Sequence, residues 1–343
     1  MKTLDQIEAR TPIPGPGAMT ILQRGSYYLT GNITVASGNA ITIDANGVTL
    51  DLNGFTISST AASPTGNGIL IGSFRRNITI VNGFIESGVT QSGGVFSGTG
   101  FASGINISAG QPENVLVSRV AISGVLLAGI NMGTGEATFV ESCRVYVAGG
   151  TGITAGGARD CVVRDSGLND VQGSTVENCS ARVTGAGYGI LADSALNCQG
   201  TSGGGGIGVV ADSATNCRGM ALGAGTGISA TSASGCWGFS ESATGVQASI
   251  ALNCYGVSNG SGTAIFGTSA LNCYGRSGGT GTGIQVLNAQ NCYGESTGSG
   301  FGMSVGRAVN CYGQSGSGTG ISAFIANSCG GSSAIASHKY DMP

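Results

Sequence analysis

Ala251-Leu252-Asn253-Cys254-Tyr255-Gly256 returns unchanged 19 residues later as Ala270-Leu271-Asn272-Cys273-Tyr274-Gly275. Two close copies follow at the same interval, Ala289-Gln290-Asn291-Cys292-Tyr293-Gly294 and Ala308-Val309-Asn310-Cys311-Tyr312-Gly313. Outward from these copies, all 11 cysteines fall on one ruler, from Cys143 through 161, 179, 198, 217, 236, 254, 273, 292 and 311 to Cys329, with every gap 18 or 19 residues. A fixed self-similar period marks a repeat architecture and takes precedence over any local motif. Other residues keep the register independently of sulfur. Ala or Val stands three positions before each of the last ten cysteines, from Ala158 to Ala326, and Ile, Val or Met stands eight positions before them, from Ile153 to Ile321. The residue just ahead of the cysteine is Asn in seven of these coils, with Asp160, Gly235 and Ser328 as exceptions.

A unit of 18 or 19 residues is too short and too rich in turn residues for paired helices, but it suits one circuit of a β-solenoid with three short strands. Ala, Ile and Cys then face inward, each about 4.8 Å from its counterpart in the next coil. The Asn column fits a left-handed turn, which Asn tolerates better than most residues, with its amides able to bond from coil to coil. The expected fold is all-β, one parallel β-solenoid over 1–343. Its parts are a cap at 1–24, longer irregular coils over 25–142, regular cysteine-ladder coils over 143–329 and a tail or cap at 330–343.

Composition agrees. Gly is 65 of 343 residues, charged residues are 9% and hydrophobic ones 41%, which favours close backbone stacking over a disordered, charge-swollen chain. Without a three-residue Gly period and with 6 Pro, collagen is excluded. Net charge is −3 and the only lysines are Lys2 and Lys339, so the basic footprint of a nucleic-acid binder is missing. No run of eighteen apolar residues predicts a membrane span. The opening Met-Lys-Thr-Leu-Asp-Gln-Ile-Glu lacks the apolar core of a signal peptide, so the first residues give no address.

Upstream of Cys143 the unit is diluted. Leu52-Asn53-Gly54-Phe55, Val81-Asn82-Gly83-Phe84 and Val117-Ser118-Arg119-Val120 repeat the inward-outward-turn-inward pattern, so Phe55, Phe84 and Val120 are expected to continue the cysteine column. Ser59–Asn67 and Gly88–Gly104 read as inserted loops, and larger core residues here predict a taper. Thr3-Leu4-Asp5-Gln6 has the spacing of a helix capping box, so a short helix is expected to cover that end of the solenoid. The other end, closed only by Ser337–Pro343, is either weakly capped or meets a partner, which makes end-to-end self-association one of the readings.

Gly25-Ser26-Tyr27-Tyr28-Leu29-Thr30-Gly31-Asn32-Ile33-Thr34-Val35 and Val48-Thr49-Leu50-Asp51-Leu52-Asn53-Gly54-Phe55-Thr56-Ile57 resemble the first coils of secreted bacterial right-handed parallel β-helix proteins of the pectate-lyase-like superfamily. Thr3–Arg10 followed by Thr11-Pro12-Ile13 is similar to their mature N-terminal region. The resemblance covers residues 1–60 and implies right-handedness and a secreted or cell-surface location. Members include polysaccharide lyases and glycoside hydrolases, but fold alone does not carry activity, and no catalytic motif of either kind can be placed here.

Three sets of residues are candidates for function. Charges gather between Glu136 and Arg182, where Glu141, Arg159 and Glu177 share one column as a salt-bridge ladder, and Asp160, Arg164 and Asp165 offer an acid, a base and an anion-binding group beside the long upstream loops. Asp193 and Asp212 stack like on like, a pair that a cation such as calcium would relieve, although no loop signature supports a metal and no cofactor is expected. Trp237, Tyr255, Tyr274, Tyr293 and Tyr312 each follow a cysteine and should face outward, either stacked on one another or open to sugar rings or a protein. The cysteines lack the Cys-x-x-Cys pairs or nearby His of a zinc or redox site, and stacked Cβ atoms are slightly too far apart for disulfides, so they read as small core hydrophobes. Scarcity of Lys, His and charge points to a non-catalytic β-helix with a binding or structural surface, with polysaccharide as the expected ligand. A polysaccharide lyase or hydrolase with its cleft near Glu136–Arg182 is the alternative.

Overall fold

The structure, a computed structural model, describes residues 10–340, so the capping helix expected over Thr3–Ile7 and the last residues, Asp341–Pro343, lie outside the described residues. Among the described residues the chain is all-β, with no helix and about 17 solenoid turns. Among the described residues no helix is long and apolar enough to cross a membrane. The chain divides into two compact units with the boundary between Ser180 and Ala181, and each is a parallel β-solenoid.

In the second unit a regular coil is one seven-residue strand, a turn ending in Cys, most often Asn-Cys, a four-residue strand and a Gly/Ser-rich loop, and the last coil shortens the second strand to Gly330–Gly331. Ile265–Leu271 and Tyr274–Ser277 form one such coil. The strands pair in register with the coils before and after, Val246↔Ile265↔Ile284 and Ala251↔Ala270↔Ala289. The seven-residue strand takes the place of two of the three strands expected. In Ile190–Leu196 the alternation of buried and exposed residues breaks at Asp193 and Ser194, both exposed, so the strand turns a corner there and its pairing resumes in register at Ser194. The turn residue is left-handed in every coil, with φ 53° at Asn197, 52° at Asn253, 53° at Asn272 and 62° at the exceptional Gly235. Asn272 donates its amide to Asn253 Oδ1 at 3.1 Å and accepts from Asn291 at 3.2 Å, the coil-to-coil relay expected of this column. The cysteines are buried free thiols. Cys273 Sγ donates to Ala251 O and Leu271 O at 3.4 and 3.2 Å. A serine column absent from the sequence reading lines the interior four residues after the cysteines. Ser240 Oγ and Ser277 Oγ each donate at 2.6 Å to a loop carbonyl of the preceding coil, at Gly225 and Gly262.

The first unit carries the same columns with larger side chains. Ile41, Ile69, Ile105, Ile130, Ile153 and Val171 align strand on strand, extending the Ile column far upstream of where the cysteines reveal it. The column that becomes Ala runs Leu50, Ile80, Val117, Val140, Ala158, Val176, so its core residues are largest upstream. The cysteine column needs a correction. Val120 occupies it, aligned one step from the Ala121↔Arg144 pair, but its partner in Arg76–Glu86 is Gly83, and Phe84 is 44% exposed. Leu52 already fills the interior there, since a Cβ on Gly83 would lie 2.3 Å from Leu52 Cβ. Only glycine fits, and the ring is displaced to the outside. The insertion after Gly88 is a β-hairpin, Thr90–Ser92 against Val95–Ser97, turned by Gly93 and Gly94, both at positive φ, as a two-residue primed turn requires. Its Phe96 side chain packs on the bare backbone of two coils, where a Cβ on Gly149 would lie 3.1 Å from Phe96 Cβ and one on Gly167 3.0 Å from the ring.

Candidate functional site

The sheet that follows the cysteine column in the first unit is built from Thr56–Ser59, the end of Arg76–Glu86, the end of Glu113–Val125, Arg144–Ala148 and Val162–Ser166. With the column residue facing in, strand alternation sends the first and third residues after it outward. One outward column is therefore Thr56, Phe84, Ala121, Arg144, Val162, and the next is Ser58, Glu86, Ser123, Tyr146, Arg164. Both positions on the middle strand are small, Ala121 and Ser123. A notch results between Phe84 and Glu86 on one side and Arg144 and Tyr146 on the other, two strand spacings or roughly 10 Å apart.

Two depressions open on this face. One of about 330 Å³ is lined by Asn82, Phe84, Arg119, Ala121 and Arg144, and the other, about 480 Å³, by residues of the hairpin base with Ser123, Tyr146, Val147 and Asp165. Tyr146 is 55% exposed, and neither Arg144 nor Arg164 makes an ion pair among the described residues. Arg119 is held in place, its Nε donating to Asn82 Oδ1 at 2.7 Å. At the hairpin end of the sheet three successive strands carry a left-handed residue, Gly124, Val147 (φ 59°) and Asp165 (φ 61°). Val is a genuine outlier in that conformation, and such strain collects where the surroundings over-determine a backbone, commonly at binding sites.

Asp160 and Asp165 are not brought together. Asp160 occupies the Asn column at φ 53°, accepts from Asn178 Nδ2 at 3.1 Å and lies 4.0 Å from Arg159 Nε. Asp165 stands five residues on, at the other end of Val162–Ser166, roughly 16 Å along an extended strand. Two carboxyls acting across a glycosidic bond stand about 5–9.5 Å apart. Arg164 and Asp165 belong to the face just described; Asp160 does not. The Glu141, Arg159, Glu177 column is in register, with Arg159 Nη2 3.3 Å from Glu141 Oε2. Asp170, in the same charged region, is fully buried and accepts from Ser166 Oγ.

In the second unit Trp237, Tyr255, Tyr274, Tyr293 and Tyr312 align strand on strand. Ring centroids are 4.9 Å apart for Tyr255–Tyr274, 5.0 Å for Tyr274–Tyr293 and 5.4 Å for Tyr293–Tyr312. The Arg218 guanidinium lies 4.5 Å from the Trp237 ring. Tyr274 and Tyr293 hydroxyls donate to Glu295 Oε2 at 2.6 Å and Gln314 Oε1 at 2.7 Å. Burial, reinforced by the bond to Glu295, holds the Tyr274 hydroxyl above its ordinary pKa. The rings from Tyr255 to Tyr312 thus contact one another and the hydroxyls of Tyr274 and Tyr293 are engaged with the next coils, while Tyr312 is 46% exposed. Asp193 and Asp212 are both exposed and flank the paired Ser194 and Ser213. No group of three or more His, Cys, Asp or Glu among the described residues is placed to hold a metal ion.

Tyr146, Glu86 and the outward turn of Phe84 escaped the sequence reading. Tyr146 follows its cysteine by three residues, not one, and strand parity applied to Cys143 was the signal that would have found it. No protein-family model, curated protein or solved structure matches the chain.

Proposed function

We propose that this protein is a secreted or cell-surface, non-catalytic β-solenoid of the pectate-lyase-like type that binds an extended, carboxylate-bearing polysaccharide on the notched face of its first unit. The observation that carries this reading is the juxtaposition across small residues of two exposed rings, Phe84 and Tyr146, with two arginines that make no ion pair among the described residues, Arg144 and Arg164. Aromatic faces stack on the apolar faces of sugar rings. Guanidinium groups recognise carboxylates with two parallel hydrogen bonds. The flat, repeating sheet suits a flat, repeating ligand, and the hairpin over Gly149 and Gly167 walls one end of the notch. The export assignment rests on the resemblance of residues 1–60. The tyrosine ladder is assigned a structural role, as an outer wall of the second unit.

Affinity electrophoresis and calorimetry with polygalacturonate, alginate, xylan and a mixed-linkage glucan test the reading, with new reducing or unsaturated ends measured in parallel. Retention by the two uronate polymers without product, lost in Arg144→Ala/Tyr146→Ala and kept in Tyr274→Ala/Tyr293→Ala, is expected. Equal retention by neutral polymers removes the arginines' role. Product formation abolished by Asp165→Asn establishes an enzyme in place of a binding protein.

A further inference from the structure

The bent strands of the second unit raise a ridge at their corner. Along it run Asp193 and Asp212, then uncharged positions including Thr268, then Leu287 and Phe324, the last two 63% and 59% exposed. Beside the ridge lies a groove of about 660 Å³ lined by Ile250, Leu252, Leu271, Asn288 and Arg307 among others, with Ile250 56% exposed. Exposed apolar side chains beside a groove of this kind mark an interaction site. Charge identifies the occupant. The two strands nearest the start of the unit, Ile190–Leu196 and Val209–Thr215, each hold one aspartate and no cation. The strands from Val246–Leu252 to Ala334–Tyr340 hold Arg307, His338 and Lys339 and no acid. The surface is acidic at one end, uncharged in the middle and basic at the other, with exposed Phe324 on the strand between those of Arg307 and His338.

A surface polarised in this way complements a copy of itself turned end for end. We propose that two copies of the chain pair side by side through this face, antiparallel and two-fold symmetric, with the ridge of each seated in the groove of the other. Nine such strands run from Ile190–Leu196 to Ala334–Tyr340. With the two-fold axis at the fifth, Ile265–Leu271, Leu287 faces Ile250 and Leu252 of the second copy, and Asp193 faces its His338. Asp212 lies within one strand spacing, about 4.8 Å, of both Arg307 and His338. Pairing in the parallel sense would set aspartate on aspartate and arginine on arginine, which like-charge repulsion disfavours. An isologous contact closes at two copies, unlike the end-to-end association considered from the sequence, and it uses none of the residues of the notched face.

Sedimentation of the full chain over a wide concentration range tests this proposal, with circular dichroism to check that each variant folds. The wild type is expected to reach a dimer and Leu287→Glu to remain monomeric. Asp212→Arg and Arg307→Asp should each weaken association about tenfold or more. The double variant, with the two charges exchanged, should recover most of the loss, because the symmetry restores an opposite pair. A wild type monomeric at every concentration overturns the proposal. So does a dimer indifferent to all of these changes, and single losses that the double exchange fails to restore overturn the antiparallel register. Because all of these residues lie outside the notch, polysaccharide retention should be unchanged in every variant.

Discussion

The same two places in the coil, one and three residues after the cysteine column, are closed in the second unit and open in the first. In the second unit they hold, from Tyr255 to Tyr312, tyrosine against tyrosine, with the Tyr274 and Tyr293 hydroxyls on Glu295 and Gln314 and Arg276 Nε 3.8 Å from Glu295. In the first they hold Phe84, Ala121, Arg144 and Glu86, Ser123, Tyr146, Arg164, where large and small residues alternate and no two neighbours match. Repetition lets each side chain satisfy its counterpart one coil away, which gives a sheet stable along its length and leaves little for a ligand. Irregularity leaves gaps and unpaired groups, the material of a binding site.

The contrast breaks most severely where regular coils leave no room. A Cβ on Gly275 would stand 2.2 Å from Gly283 O, a backbone atom that cannot yield, so Gly275→Val should abolish the cooperative unfolding transition of the second unit. Gly54, at φ 78° with open space around it, should tolerate Ala for about 1 kcal/mol, and thermal denaturation compares the two. Next in size is the shared core column. Leu50→Ala in the first unit should cost about 3 kcal/mol by loss of a fully buried side chain, and Ala233→Gly in the second about 1 kcal/mol, measured by urea titration. Equal costs would mean that the core does not narrow in that column.

The turn column gives smaller effects of opposite sign. Asn272→Ala removes two amide bonds from a left-handed position and should cost about 1–2 kcal/mol. Ser142, at φ 53° in the first unit, should gain about 0.5 kcal/mol on replacement by Asn. The smallest effect is alkaline. Burial pushes the Cys143 thiol up to about 12 from its ordinary 9.0, and burial likewise raises Tyr274. Both groups keep their protons in the folded state after the unfolded chain has lost them, so their contribution is complete below pH 9 and declines as pH rises toward 12. Melting temperatures across that range should fall, and less steeply above pH 10 in Tyr274→Phe.

Fold and site were unequally legible. Cysteine, Ile, Ala and Asn columns could be counted because one residue type recurs at one place in the coil, and they account for core, turn and strand. The bend in the seven-residue strand was hidden because two successive outward residues look like loss of alternation. Phe84 was misplaced for a physical reason: the inward-outward-turn-inward pattern put its large ring in the core, whereas Leu52 already filled it and glycine was required. The notched face stayed hidden because its residues share no type from coil to coil, and only the register of the sheet brings them into two columns.

Hydrogen–deuterium exchange of the full chain with and without polygalacturonate tests most directly the division into a closed and an open face. Slowed exchange is expected in the ends of Arg76–Glu86 and Glu113–Val125, in Arg144–Ala148 and Val162–Ser166 and at the hairpin base, with the strands from Trp237–Ser240 to Tyr312–Ser315 unchanged. Protection along the tyrosine ladder, with the first unit unaffected, would contradict the account.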